Sequence, residues 1–98
     1  MTREELVEVS EGMIRQVILR HIPPKTQVYL FGSRARKDHC WNADYDIWID
    51  ANLERSELRH IAEELEDSIV PFKVDLVTSE QMTGRFGAQV RKEAVRWM

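Results

Sequence analysis

The sequence predicts an α/β domain: a small mixed sheet of three or four strands with helices packed on one face. Two stretches carry apolar residues at helical spacing, and three short segments rich in β-branched and aromatic residues alternate with them. A chain of 98 residues with an apolar share of 43% supports one hydrophobic core. We therefore expect a single domain over residues 1–98.

The first element is a helix from Arg3 to about His21. Pro23 and Pro24 end it, because proline clashes with the preceding helical turn and biases its predecessor toward extended backbone. The apolar stripe of this helix consists of Leu6, Val9, Met13 and Val17, with Val7, Ile14 and Ile18 beside them.

A strand and a tight turn follow. The segment from Gln27 to Phe31 is rich in β-branched and aromatic residues, and it leads directly into Gly32 and Ser33. This order predicts a strand that ends in a turn, followed by a short helical segment from Ser33 to about Lys37.

The second strand covers Tyr45 to Ile49 and separates its side chains by parity. One face receives Tyr45, Ile47 and Ile49, and the other receives Asp44, Asp46, Trp48 and Asp50. The alternation therefore places carboxylates together on one face.

A second long helix and a third strand complete the central part. Ser56 is the predicted N-cap, and Pro71 is expected to stop the helix. Its apolar stripe consists of Leu58, Ile61, Ala62, Leu65 and Ile69. The strand from Phe72 to Val77 then carries Asp75 on the face opposite Val74 and Leu76, where it can join the earlier carboxylates.

The last part of the chain predicts one more helix. Thr78 with Gln81 fits a capping box that would open it. Its apolar positions are Met82, Phe86 and Val90. Val95 to Met98 either completes that helix or forms a short edge strand, and spacing alone does not decide between them.

Composition excludes several classes of protein. The net charge is −3 and the basic residues are scattered, so strong electrostatic binding to nucleic acid is not indicated. An acidic start argues against a signal peptide, and no apolar run is long enough to cross a bilayer, which together predict a cytoplasmic location. Cys40 is the only cysteine, which excludes an intrachain disulfide and a multi-cysteine zinc site.

The carboxylates suggest a metal site. Asp44 and Asp46 project side by side from one strand, and Asp75 has the parity to join them. Carboxylate oxygens are ligands that Mg²⁺ prefers. In a two-metal arrangement Asp44 and Asp46 would bridge both ions, while Asp75 would bind the first and act on the nucleophile, as ligand or as proton acceptor.

The turn after the first strand suggests a phosphate site. Gly32 allows close backbone approach to an anion, and Ser33 adds a hydroxyl donor. Arg34 and Arg36 are candidates to contact triphosphate oxygens, the alternative being a solvated helix face.

The combined pattern resembles the DNA polymerase beta-like nucleotidyltransferase superfamily. The pattern is Gly32-Ser33, about ten residues, Asp44-x-Asp46, then Asp75 between apolar residues. The small size is similar to that of the minimal nucleotidyltransferases. The resemblance implies a fold like the polymerase beta palm, two Mg²⁺ ions as cofactors, and transfer of a nucleoside monophosphate from a triphosphate, with ATP favoured as donor.

The resemblance also implies a protein partner. Many members of that family are antitoxins paired with a HEPN-domain ribonuclease toxin, and some add AMP to a tyrosine of the toxin. The acceptor would then be a hydroxyl on the partner. Many members have glycine where this chain has Lys37 and serine where it has Ala43, so the alternative is a catalytically silent module that neutralises a partner by contact.

The carboxylate-bearing face also carries apolar side chains, which we expect to need a cover. They are Tyr29, Phe31, Trp48 and Val77. A partner chain, self-association into a homo-oligomer or a nucleotide base would cover them. The alternative is that the N-terminal helix or the chain end folds over Trp48.

Overall fold

The computed structural model describes residues 1–98 and contains four strands and four α-helices. In chain order these are α1 (Arg3–His21), β1 (Val28–Phe31), α2 (Gly32–Arg36), β2 (Tyr45–Ile49), α3 (Arg55–Glu66), β3 (Val74–Thr78), α4 (Gly84–Glu93) and β4 (Val95–Arg96), with a 3₁₀ turn (Ser79–Gln81) between β3 and α4. None of the helices is both long and apolar enough to span a membrane.

The four strands form one mixed sheet in the order β3-β2-β1-β4. β1 pairs antiparallel with both β2 and β4, whereas β2 and β3 are parallel. The parallel pair requires a crossover, which α3 provides. The predicted α/β class with a mixed sheet is confirmed.

The larger part of the core lies between the sheet and helices α1 and α3. Tyr45, Ile47 and Ile49 of β2 are fully buried there, as strand parity predicted. Their partners in the helices include Ile14 and Ile61, which come from the predicted apolar stripe or its flank.

The opposite face is not left open along its whole length. Trp48 is only 9% exposed, and it packs in a second apolar cluster with Met82 and Val90 of the C-terminal segment. Tyr29 stacks on Trp48 at a ring-centroid distance of 4.6 Å. The expectation that a partner, a second copy or a nucleotide base covers Trp48 is therefore wrong. Of the two alternatives within the chain, the N-terminal helix and the chain end, the C-terminal segment is the one that packs on Trp48.

Two predicted boundaries of α3 are wrong. Glu54, not Ser56, is the N-cap, and its extended backbone starts the helix at Arg55. The helix ends at Glu66, well before Pro71, because the Ser68 hydroxyl donates to the Leu65 carbonyl at 2.6 Å and accepts from the Val70 amide. Ile69, predicted in the apolar stripe, consequently lies beyond the helix and is 58% exposed.

The C-terminal region also differs from the predicted single helix. The capping box of Thr78 and Gln81 is present, but it lies at the start of the 3₁₀ turn and not of α4. α4 begins separately at Gly84. Val95–Arg96 forms the strand β4 and does not extend α4, because Ala94 adopts an extended backbone. β4 pairs with the edge of β1 that would otherwise be unpaired.

Candidate active site

Asp46 and Asp75 lie directly opposite each other on the parallel strands β2 and β3. Residues paired in this way point to the same face of a sheet. Asp44 stands just before β2 and is exposed, while Asp46 is half-buried. The structure thus brings the predicted carboxylates to one face, opposite the buried Tyr45.

The electrostatics of Asp46 reflect this crowding. Burial raises the pKa of the Asp46 carboxyl, and the nearby charges of Asp75 and Asp44 raise it further. Like charges held together at a partly buried position favour a bound cation, so the chemistry of this donor set fits Mg²⁺.

The carboxylates are not arranged as a ready-made cluster of metal ligands. No group of three His, Cys, Asp or Glu residues in the chain stands close enough to hold an ion. Asp75 Oδ1 is 3.8 Å from the ammonium of Lys73, and the side chain of Asp75 is 46% exposed. An ion at this face would therefore have to draw in the exposed side chains of Asp44 and Asp75 toward Asp46.

The turn after β1 depends on glycine. Gly32 has φ = +72°, and a Cβ on this residue would stand 3.1 Å from Asp46 Cγ and still closer to Oδ2. A side chain at this position would strain the backbone and displace the carboxylate. Ser33 follows within the first turn of α2, so the predicted phosphate-binding turn adjoins the carboxylates.

Lys37 ends α2 in the left-handed conformation, with φ = +62°. This conformation favours glycine, which has no Cβ to strain the backbone. Lys37 therefore keeps the backbone shape of the turn at a cost of about 1 kcal/mol in strain.

The guanidinium of Arg34 is buried and engaged within the chain, so it is not free for the predicted contact with a triphosphate. Its side chain is 7% exposed, and its guanidinium donates to the carbonyls of Ala43 at 2.8 Å and Trp41 at 2.9 Å. It also stacks over the ring of Tyr45, 3.8 Å from the centroid, on the face opposite Asp46. In this structure Arg34 holds the loop before β2 in place.

Arg36 is the arginine on the carboxylate side. Its guanidinium donates to Glu93 at 2.9 Å and to Asp38 at 3.2 Å. Burial and the neighbouring carboxylates raise the pKa of Asp46, and the positive charge of Arg36 opposes that rise.

Glu93 is a further acidic residue at this site, and it was not among the residues predicted from the sequence. Its Oε2 accepts a hydrogen bond from the Gly32 amide at 3.1 Å, and its Oε1 accepts from Arg36 and Gln89. These hydrogen bonds, led by that from Gln89, lower the pKa of Glu93. Gly32 and Glu93 are 61 residues apart, so no local pattern pairs them.

Residues 14–96 match the family described as polymerase beta, nucleotidyltransferase. No curated protein matches the chain significantly.

Solved structures show the same fold. A chain of a toxin–antitoxin complex with AMP-PNP is 27% identical, with a TM-score of 0.71 over 89% of this chain and 72% of its own length. A chain of the complex between a tri-AMPylated HEPN toxin of Shewanella oneidensis and its MNT antitoxin is 25% identical, with a TM-score of 0.66 over 93% and 71%. A candidate minimal nucleotidyltransferase, 24% identical, has a TM-score of 0.66 over 97% and 95%, which bears on the fold alone.

Proposed function

The chain belongs to the polymerase beta nucleotidyltransferase family, and from this we propose that it transfers AMP from ATP, with magnesium, to a hydroxyl group on a partner protein. The observation that carries the proposal is the pairing of Asp46 with Asp75 across β2 and β3, beside the turn at Gly32. We propose one nucleotidyltransferase domain over residues 1–98 and a cytoplasmic location as parts of the same reading.

The proposed roles follow from position. Asp44 and Asp46 would hold Mg²⁺ together with Asp75, and Gly32 and Ser33 would receive the triphosphate. When bound, two Mg²⁺ ions would supply positive charge that offsets the triphosphate and eases deprotonation of the acceptor. Arg36, which lies on the carboxylate side, replaces Arg34 as the arginine proposed to contact the phosphates.

The proposed reaction is an in-line displacement at the α-phosphorus. The acceptor oxygen forms a bond to that phosphorus, the bond to the bridging oxygen breaks, and pyrophosphate leaves. The proton of the acceptor hydroxyl passes to Asp75, whose side chain is exposed enough to meet a protein substrate.

The solved relatives support the choice of donor and partner. One was crystallised with AMP-PNP, an ATP analogue, and another belongs to a complex with an AMPylated HEPN toxin. By analogy we propose a HEPN-type toxin as the acceptor protein for this chain. A homo-oligomer is the alternative assembly.

The rival function is binding without turnover. The observation in its favour is that Glu93 already occupies the Gly32 amide, a donor that the triphosphate would use. In that case the chain would neutralise its partner by contact alone.

One experiment separates the two functions. The chain is incubated with a HEPN-domain protein, with magnesium and ATP labelled at the α-phosphate. We expect label on the partner, and none with the Asp44→Asn, Asp46→Asn double variant. A stable complex without label on the partner would support silent binding, and label transferred by the double variant would overturn the site.

A further inference from the structure

Glu93 holds donors of the kinds that a phosphate group uses. The Gly32 amide donates to one of its carboxylate oxygens at 3.1 Å, and the Arg36 guanidinium donates to the other at 2.9 Å. Gln89, one helical turn earlier on α4, adds a third hydrogen bond at 2.7 Å. A backbone amide and a guanidinium are the standard partners of phosphate oxygens in proteins.

We propose that Glu93 is an internal substitute for the triphosphate: it occupies the Gly32 amide and the Arg36 guanidinium in the free protein and must leave them when a triphosphate binds. We call these two donors the triphosphate subsite. The proposal rests on the proposed function, because it assumes that triphosphate binds at this turn.

Electrostatics support a competition between the two anions. One amide hydrogen serves one strong acceptor, so a phosphate oxygen at Gly32 requires the carboxylate to move. Glu93 is also near enough to Asp46 to contribute to its raised pKa, after burial and the two closer aspartates. A phosphate oxygen at the same two donors would lie against the Glu93 carboxylate, and these two like charges repel each other.

The location of Glu93 permits it to move. It is the last residue of α4, and Ala94 after it has an extended backbone. Its side chain is 14% exposed and belongs to neither apolar cluster, so its departure removes no contact within the core. The apparent affinity for a triphosphate would then equal the intrinsic affinity multiplied by the fraction of molecules in which Glu93 has left the triphosphate subsite.

Glu93 could instead be a structural tie between α4 and the turn at Gly32. The two roles predict opposite changes in affinity. Removing a tie loosens the turn and weakens triphosphate binding, whereas removing a competing anion strengthens it.

The test is calorimetric titration with inorganic tripolyphosphate and magnesium. For Glu93→Gln we expect an affinity on the order of tenfold or more above wild type, because minor states are populated to roughly 10% or less and the apparent affinity falls in proportion to that fraction. Glu66→Gln, an exposed residue of α3, is the control for the change in net charge and should bind as wild type does. AMP, which lacks the triphosphate, should show no gain with Glu93→Gln.

A second variant protects the test against loss of folding. Gln89→Ala removes a hydrogen bond that holds Glu93 but touches neither donor of the triphosphate subsite, and residue 89 is exposed. We expect a smaller gain in affinity than with Glu93→Gln. Equal or weaker binding by a folded Glu93→Gln overturns the proposal, as does unchanged binding by Gln89→Ala if Glu93→Gln does not fold.

The proposal and the proposed function fail in different ways. If Glu93→Gln binds tripolyphosphate more tightly but wild type transfers no label to a partner, the role proposed for Glu93 is supported and the proposed transferase activity is contradicted. If wild type transfers label but neither Glu93→Gln nor Gln89→Ala raises the affinity for tripolyphosphate, the transferase activity is supported and the role proposed for Glu93 is contradicted.

Discussion

The Cα of Gly32 lies against the side chain of Asp46, so that a Cβ on residue 32 would come 3.1 Å from Asp46 Cγ and closer still to Oδ2. The turn after β1 and the Asp46 carboxylate are therefore in direct contact. Each constrains the other, because the turn can approach the carboxylate only where no side chain intervenes.

Gly32→Ala should lower the free energy of unfolding by about 3 kcal/mol, since it adds a collision with Asp46 to the strain of a positive φ. Gly84→Ala is a matched control: Gly84 has φ = +59°, but a methyl group added there would meet no atom within 4 Å. Gly84→Ala should lower the free energy of unfolding by only about 1 kcal/mol. Denaturant unfolding of both variants measures the difference, and equal losses would contradict a collision with Asp46.

Asp46→Asn should abolish transfer and leave the fold intact. Burial, with the charges of Asp75 and Asp44, raises the pKa of Asp46 in the folded protein, so the folded state binds protons more readily than the unfolded state. Its charged form therefore reduces stability as pH rises above the unfolded pKa of about 3.8. The variant should be at least as stable as wild type at neutral pH, measured by thermal unfolding, and a marked loss would indicate a structural role.

Trp48→Ala should destabilise the isolated chain by about 3 kcal/mol or more, because it creates a cavity between the sheet and α4. Trp41→Ala is the control. Because Trp41 is 39% exposed, this variant should lose much less unfolding free energy than Trp48→Ala. Urea unfolding measures both, and affinity for the partner should be unchanged by Trp48→Ala. A stable Trp48→Ala variant with weakened partner binding would restore Trp48 as an interface residue.

Arg34 and Arg36 should respond in opposite ways to replacement by lysine. Arg34→Lys loses the fork that bridges the carbonyls of Ala43 and Trp41, and unfolding free energy should fall by about 2 kcal/mol. Arg36→Lys should change stability little, because its side chain is exposed, but should weaken binding of tripolyphosphate. Calorimetry and unfolding on both variants test this, and reduced phosphate binding by a fully stable Arg34→Lys would reverse the assignment.

His21 makes stability depend on pH. Its two ring nitrogens contact Glu64 at 2.6 Å and Glu57 at 3.2 Å, which links α1 to α3. The hydrogen bond with Glu64 chiefly raises the pKa of His21, so its contribution is fully present below the unfolded pKa of 6.5 and is lost as pH rises through the folded pKa. The same bond lowers the pKa of Glu64, whose contribution is present above 4.5 and is lost as pH falls through its folded pKa.

The contribution of this pair should therefore be largest between pH 4.5 and 6.5. His21→Gln should be less stable than wild type, and the difference in unfolding free energy should shrink as pH rises from about 6 to about 9. Histidine loses its charge over roughly this range. Unfolding free energies measured across that range provide the test. His39→Gln, in an exposed loop, is the control for loss of a histidine elsewhere in the chain.

Periodicity was sufficient for the elements whose ends are set locally. The bounds of α1 and β2 match their predictions because proline ends the one and strict alternation defines the other. It was insufficient for α3, where the Ser68 hydroxyl competes for the Leu65 carbonyl and ends the helix early. The choice between helix and strand for Val95–Arg96 depended on a free edge of β1, which is a property of the assembled sheet.

The sequence by itself determined the α/β class and which face of β2 and β3 carries Asp46 and Asp75, because side-chain parity along a strand is a local property. Only the tertiary structure decided what lies over that face and which polar groups meet there. α4 covers Trp48, Arg34 turns toward Tyr45, and Glu93 reaches Gly32 across 61 residues. Such contacts arise from the packing of distant elements, where burial and hydrogen bonding select partners that no local spacing encodes.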